Sequence, residues 1–212
     1  MNREHVLAHL TEAAEALARL RQDEETLDRV VQAVNLMAGA LRAGGKILSC
    51  GNGGSLCDAM HFAEELSGRY REDRPALAAL CLGDPGHITC VGNDYGFERV
   101  FARGVEALGR PGDVLVGFST SGRSPNVVAA ARAAREAGMS VIALTGRSGS
   151  ELEKVANLTL ITPGGRYADR VQELHIKLVH AMIDGIERAL GHAPLGLSLI
   201  HISEPTRLLR SS

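Results

Sequence analysis

A chain of 212 residues, 45% hydrophobic and 23% charged, has the make-up of one soluble globular domain with room for helical additions. A formal net charge of −2 with no long basic run excludes charge-driven nucleic-acid binding. No signal-peptide pattern opens the sequence and no apolar run approaches ~20 residues, so no membrane span is expected and the chain reads as cytoplasmic.

In chain order, residues 3–43 read as two helices, with apolar positions every three to four residues and a break before a second run from Glu24 to Arg42. Gly44-Gly45 is a suitable stop. A strand–turn–helix rhythm follows. Strands are expected over Lys46–Cys50, Leu77–Cys81, Val114–Phe118, Val141–Thr145 and Leu158–Ile161. Helices are expected over Ser55–Tyr70, Ser124–Ala137 and Ala168–Leu190, and Asn93-Asp94 reads as a turn before a helix starting at Tyr95-Gly96-Phe97. Short apolar strands alternating with amphipathic helices predict a parallel α/β sheet covered on both faces. The expected division is N-terminal helices over 1–44 packing on an α/β domain over 45–192. The segment 193–212 has no clear period and reads as a non-native read-through scar.

Four cysteines, Cys50, Cys57, Cys81 and Cys90, match no CxxC spacing and are expected to be buried thiols.

Two loops carry ligand chemistry. Ser119-Thr120-Ser121-Gly122-Arg123-Ser124 follows a buried strand, and Pro125 suits the first turn of the next helix, with Ser124 as its N-cap. Hydroxyls and free backbone N–H groups meeting at a positive helix end make an anion site, so Ser119, Thr120, Ser121 and Ser124 are the expected phosphate ligands. Gly51-Asn52-Gly53-Gly54-Ser55 has the same placement, and its glycines allow close backbone approach to a ligand. It is not the dinucleotide fingerprint. On the next helix, His61 and Glu65 lie four residues apart on one face, a spacing at which an imidazole and a carboxylate can share a divalent metal.

These two loops, with His61-Phe62-Ala63-Glu64-Glu65-Leu66, Asn93-Asp94 and Gln172-Glu173-Leu174-His175 to His180, resemble the sugar isomerase (SIS) domain superfamily and within it the phosphoheptose isomerase family, to about residue 192. The resemblance implies a flavodoxin-like five-stranded parallel sheet and a homo-oligomer, a tetramer. It implies isomerisation of sedoheptulose 7-phosphate to D-glycero-D-manno-heptose 7-phosphate, the first step of nucleotide-activated heptose and lipopolysaccharide biosynthesis. It further implies one zinc ion per subunit on His61, Glu65, Gln172 and His180, with Glu65 and His180 as the acid–base pair. The sugar would be held by Asn52, Gly53, Gly54, Glu65, Asn93, Asp94 and Gln172. A carboxylate bound tightly to zinc is a poor base, so Glu65 is expected to serve as ligand and base in turn.

Eight helical residues separate Gln172 from His180, a rise of about 12 Å. Metal ligands converge to about 2 Å from one ion, and side chains on a helix lean the same way. Either the helix is irregular, or one of the two acts in a neighbouring subunit's site; the second is expected. His175 is expected to pack or face the surface. Two rival functions share this fold: a non-catalytic binder of the bacterial replication initiator, which has no need of Glu65 or His180, and an isomerase for another sugar phosphate.

Overall fold

A computed structural model describes residues 2–165 and 167–192; the expectation for 193–212 lies outside the described residues. The chain runs α1 (Arg3–Gln22), α2 (Glu24–Arg42), β1 (Ile47–Cys50), α3 (Gly54–Ser67), β2 (Ala79–Cys81) and α4 (Pro85–Tyr95). After a 3-10 turn at Phe97–Arg99 come α5 (Val100–Leu108), β3 (Val114–Phe118), α6 (Pro125–Glu136), β4 (Ser140–Thr145), α7 (Glu151–Val155), β5 (Leu158–Ile161) and α8 (Ala168–Ala189).

Local chemistry sets the boundaries. The Asn2 side chain accepts from the His5 N–H to start α1, and Asp23 accepts from Thr26 to start α2 directly after it. Asp84 caps α4 through the His87 N–H, with Pro85 in the first turn. That helix corrects the expectation for Asn93 and Asp94. They lie in its last turn, and Gly96 at φ +89° ends it.

All five strands are parallel, in the order β2-β1-β3-β4-β5. This is the flavodoxin-like arrangement expected from the sequence. Every residue of β1 and β3 is buried, as strands covered on both faces require. Alternate residues divide between two cores. Ile47, Val114, Val116, Phe118, Ile142 and Leu144 pack with Met37, Phe62, Leu174 and Met182 beneath the N-terminal helices, α3 and α8. Leu48, Cys50, Leu115, Val141 and Ala143 pack with Phe101, Val105 and Ala130 on the other face.

The chain leaves β1 toward β2 on one side and returns through β3 on the other. A crevice therefore opens at the carboxyl ends of β1 and β3, where such folds bind ligands. The register Cys50↔Gly117 places the two ends side by side, so the loops 51–55 and 119–124 flank that crevice.

Candidate active site

The two loops are tied together. The carboxamides of Asn52 and Asn126 bond reciprocally, each nitrogen donating to the other oxygen at 2.8 Å. Asn126 is buried at the start of α6, so it fixes the first loop against the second. Sequence reasoning passed over it because an Asn after Ser-Pro reads as ordinary helix-start chemistry.

Within the first loop, Gly53 has φ +54°, where a side chain would strain the backbone. Gly54 has a different reason to be glycine: a Cβ there would lie 2.7 Å from the Gln172 carboxamide. Gln172, on the second turn of α8, thus faces the loop expected to hold the sugar.

In the second loop the Ser119 hydroxyl meets the Ser124 hydroxyl at 2.9 Å. Ser124 stands at the N-cap position of α6, but its side chain makes no capping bond. The expected cap is corrected: the hydroxyl is turned to Ser119, and in the first turn of α6 the Val127 N–H donates instead to the Asn126 side-chain oxygen at 3.0 Å. Ser121 Oγ accepts from the Arg123 N–H at 3.2 Å, and the Thr120 carbonyl accepts from the Gly146 N–H at 3.0 Å. Beside these residues lies a cavity of 140 Å³ lined by Thr120, Ser121, Gly146 and Arg147.

The third group joins α3 to α8. His61 Nε2 faces His180 Nε2 at 2.9 Å and a Glu65 carboxylate oxygen at 3.5 Å. His61 Nδ1 lies 3.0 Å from a Glu64 carboxylate oxygen. A proton on Nδ1, donated to Glu64, leaves a lone pair on Nε2. Two imidazole lone pairs and a carboxylate oxygen facing one another repel unless a proton or a cation lies between them. Nitrogen and oxygen donors in this number suit zinc, and the carboxylate behind His61 is the partner that orients a metal-binding imidazole. His61, Glu64 and Glu65 can bring one ligand atom each within 4.8 Å of one another. Glu64 was not singled out in the sequence; its signal was the i,i+3 spacing from His61. Burial, and then the neighbouring His61, hold the His180 imidazole below its ordinary pKa, so it is neutral and able to accept a proton near neutral pH. One turn before His61, the buried Asp58 has a carboxylate oxygen without a partner, and burial pushes its carboxyl up to about 6.

The expected residues sort as follows. Within one chain His61 meets both Glu65 and His180, and the group spaced to share an ion is His61, Glu64 and Glu65. Gln172 stands apart from them against Gly54, and α8 is one uninterrupted helix from Ala168 to Ala189. No irregularity in the helix therefore brings Gln172 and His180 to one ion. Asn93 and Asp94 are exposed on α4 and bond to each other at 2.7 Å; among the described residues no hydrogen bond joins them to either loop. His175 is fully buried, edge-on to Phe118 with centroids 6.1 Å apart. Cys50 is buried and Cys81 partly so, but Cys57 and Cys90 are exposed, correcting the expectation of four buried thiols: both sit on outward faces of helices. No helix among the described residues is long and apolar enough to cross a membrane.

The chain matches the SIS domain family over residues 9–146. It is 52% identical over 190 residues to a phosphoheptose isomerase of Proteus mirabilis, covering 90% of this chain and 99% of that one. It is 54% identical to one of Escherichia fergusonii, covering 85% and 94%. The solved phosphoheptose isomerase of Neisseria gonorrhoeae superposes with a TM-score of 0.81 at 47% identity, covering 88% of this chain and 98% of that one. That of Francisella tularensis gives 0.80 at 36% identity, covering 89% and 100%. With 94–100% of each relative's length covered at these identities and a fold that superposes over 88–89% of this chain, the chain belongs to the phosphoheptose isomerase family of SIS-domain proteins.

Proposed function

We propose that the protein converts sedoheptulose 7-phosphate to D-glycero-D-manno-heptose 7-phosphate by 1,2-proton transfer, in the cytoplasm, as the first step toward nucleotide-activated heptose and lipopolysaccharide. The observation that carries the mechanism is the meeting of His61 with Glu65 and His180 between α3 and α8, about 10 Å along α3 from the first loop. The phosphate is bound by Ser119, Thr120, Ser121 and Ser124 at the N-terminal end of α6. Arg147, lining the same cavity as Thr120 and Ser121, supplies positive charge that hydroxyls lack. Asn52, held by Asn126, and Gln172, held against Gly54, bind sugar hydroxyls together with the backbone of Gly53 and Gly54. Asn93 and Asp94 approach the sugar from the end of α4.

Glu65 takes the proton from C1 of the ketose. The neutral His180 moves protons between the C1 and C2 oxygens, and Glu65 returns its proton to C2 of the enediol. His61, Glu65 and His180 would hold one zinc ion per subunit, with Glu64 behind His61 and Glu65 serving as ligand and base in turn. Zinc bound there would polarise the substrate's carbonyl or hydroxyl oxygen. Gln172, seated against Gly54 of its own chain, would reach such an ion only in a second copy, given the helical rise of about 12 Å. The protein assembles as a homo-oligomer, a tetramer; association of some kind is supported by Val6, Leu7, Leu10, Leu27 and Val31, large apolar side chains exposed on α1 and α2. A non-catalytic binder of the replication initiator is not favoured, since phosphoheptose isomerases match 88–90% of this chain and a pure binder has no need of Glu65 or His180.

The deciding experiment is incubation of the purified protein with sedoheptulose 7-phosphate and identification of the product. Formation of the aldose phosphate supports the reading. No turnover, with or without added zinc, overturns it.

A further inference from the structure

The His180 imidazole is oriented in an uncommon way. A working imidazole is usually fixed by a hydrogen bond at its second nitrogen. Here Nε2 faces His61, and among the described residues no hydrogen bond reaches Nδ1. The torsion that turns the ring is intrinsically broad. What fixes the ring plane is contact. The Tyr70 ring stacks on it with centroids 5.8 Å apart and planes 26° from parallel, while the His61 ring meets it edge-on at 5.2 Å.

Tyr70 lies in the turn after α3, and that turn is anchored at several points. The Arg71 guanidinium sits 5.1 Å from the centre of the Tyr70 ring. Arg71 in turn bonds Asp184 at 3.3 Å, four residues beyond His180 on α8, and Asp184 is held by Arg188 at 2.6 Å. A closed circuit therefore runs from His180 through Tyr70, Arg71 and Asp184 back to α8. The buried Arg74 fixes the same turn. It donates to Glu187 on α8 at 2.8 Å, to the Leu66 carbonyl at 2.8 Å and to the carbonyl of Glu65 itself at 2.6 Å.

We propose that Tyr70 is a positioning residue for the isomerase reaction: its ring sets the plane of the His180 imidazole and keeps Nε2 aimed at His61 and Glu65. The inference rests on the isomerase reading above. The stack uses the face of the ring, so the phenol hydroxyl is dispensable. Arg71 is largely exposed, and exposed ion pairs contribute little, so the weight of the circuit falls on the stack and on buried Arg74.

The test compares Tyr70→Leu with Tyr70→Phe. Two things are measured: steady-state kinetics on sedoheptulose 7-phosphate, and the His180 ring-proton resonance in zinc-free protein, which a stacked aromatic ring displaces. Tyr70→Leu is expected to lower kcat roughly three- to tenfold, the range for losing one aromatic pair, with KM nearly unchanged and the His180 resonance moved. Tyr70→Phe is expected to keep both at wild-type values, and Arg71→Ala to change kcat less than Tyr70→Leu. An unchanged kcat and His180 resonance in Tyr70→Leu would overturn the proposal. So would a Tyr70→Phe variant as impaired as Tyr70→Leu, because the hydroxyl would then be the working group. Should Tyr70→Leu not fold, the resonance and kcat of Tyr70→Phe and Tyr70→His decide in the same terms. If wild-type protein shows no turnover, the isomerase reading fails, and the resonance still reports whether the stack exists.

Discussion

His61 and His180, 119 residues apart in the chain, bring their Nε2 atoms within 2.9 Å of each other. They come from α3 and α8, which pack directly on one face of the sheet. Phe62, the neighbour of His61, and Val179, the neighbour of His180, are fully buried in the core between these elements. The pair is therefore set by the deepest packing in the molecule, and either imidazole can be changed without disturbing that packing.

The second loop gives the first prediction. Ser121→Ala and Ser124→Ala should each raise KM for sedoheptulose 7-phosphate severalfold with kcat less affected, since each removes a hydroxyl from the phosphate's surroundings. Loss of a side-chain N-cap typically costs about 1 kcal/mol, but the Ser124 hydroxyl bonds Ser119 and does not cap α6. Thermal unfolding of Ser124→Ala should thus stay close to wild type. Wild-type KM in both variants would remove these hydroxyls from the phosphate site.

A second prediction separates the expected metal ligands. His61→Ala should lose bound zinc together with activity, since it removes one donor of a small set. Gln172→Ala should retain most of its zinc and raise KM, because the Gln172 carboxamide lies against Gly54 and away from the His61 cluster. Metal content and kinetics on the same preparations check both. Stoichiometric zinc in His61→Ala, or none in Gln172→Ala, would reverse the assignment.

Much of the fold is legible in the sequence because buried parallel strands leave short, continuous apolar runs. Val114–Phe118 and Leu158–Ile161 appear at their observed bounds. The α4 helix was missed for a physical reason. Asp84-Pro85-Gly86 signals a helix start, but the body of α4 holds Gly92, Asn93 and only one buried apolar residue, Val91, so no periodic stripe marks it. Of the site, the two loops and the i,i+4 pair could be read directly, since glycines, hydroxyls and helical spacing are local features. The Asn52–Asn126 bond, the seat of Gln172 against Gly54 and the Tyr70–His180 stack could not be, because each joins segments whose proximity is created by the sheet order.

Burial of His175 makes a third prediction, about pH. Its ring is fully buried with neither nitrogen hydrogen-bonded, and burial holds its pKa down at about 4, from an ordinary value of 6.5; the Thr145 backbone acts the other way without forming a hydrogen bond of normal geometry. Between those values the unfolded chain binds the proton and the folded one does not, so stability is full above pH 6.5 and falls as pH drops toward 4. At ~1.4 kcal/mol per pKa unit the loss reaches on the order of 3 kcal/mol. Denaturant unfolding at pH 7 and pH 4.5 should show a smaller fall for His175→Asn than for wild type. Equal falls would mean that His175 is not the group responsible.

The last prediction concerns which chain completes the acid–base pair. Glu65→Gln and His180→Gln should each be nearly inactive, since each removes half of a proton-transfer pair. The helical rise between Gln172 and His180 leaves open, from the sequence alone, that His180 serves a neighbouring subunit. In the folded chain, however, His180 faces His61 at 2.9 Å, and His61 faces Glu65 at 3.5 Å, all within one copy. If each site takes both groups from one chain, then in an oligomer mixed from the two inactive variants every site lacks either Glu65 or His180. Mixed oligomers, verified by differential tagging after subunit exchange, should accordingly stay inactive. Were His180 donated across an interface, some sites would regain an intact Glu65 from one chain and an intact His180 from the other, and activity would partly return. That return would sink the same-chain pair while leaving the isomerase chemistry intact. A parallel mixture of Glu65→Gln with Gln172→Ala asks the same question of Gln172: with Gln172 working beside its own Gly54, this mixture too should show no recovery beyond the residual activity of Gln172→Ala alone.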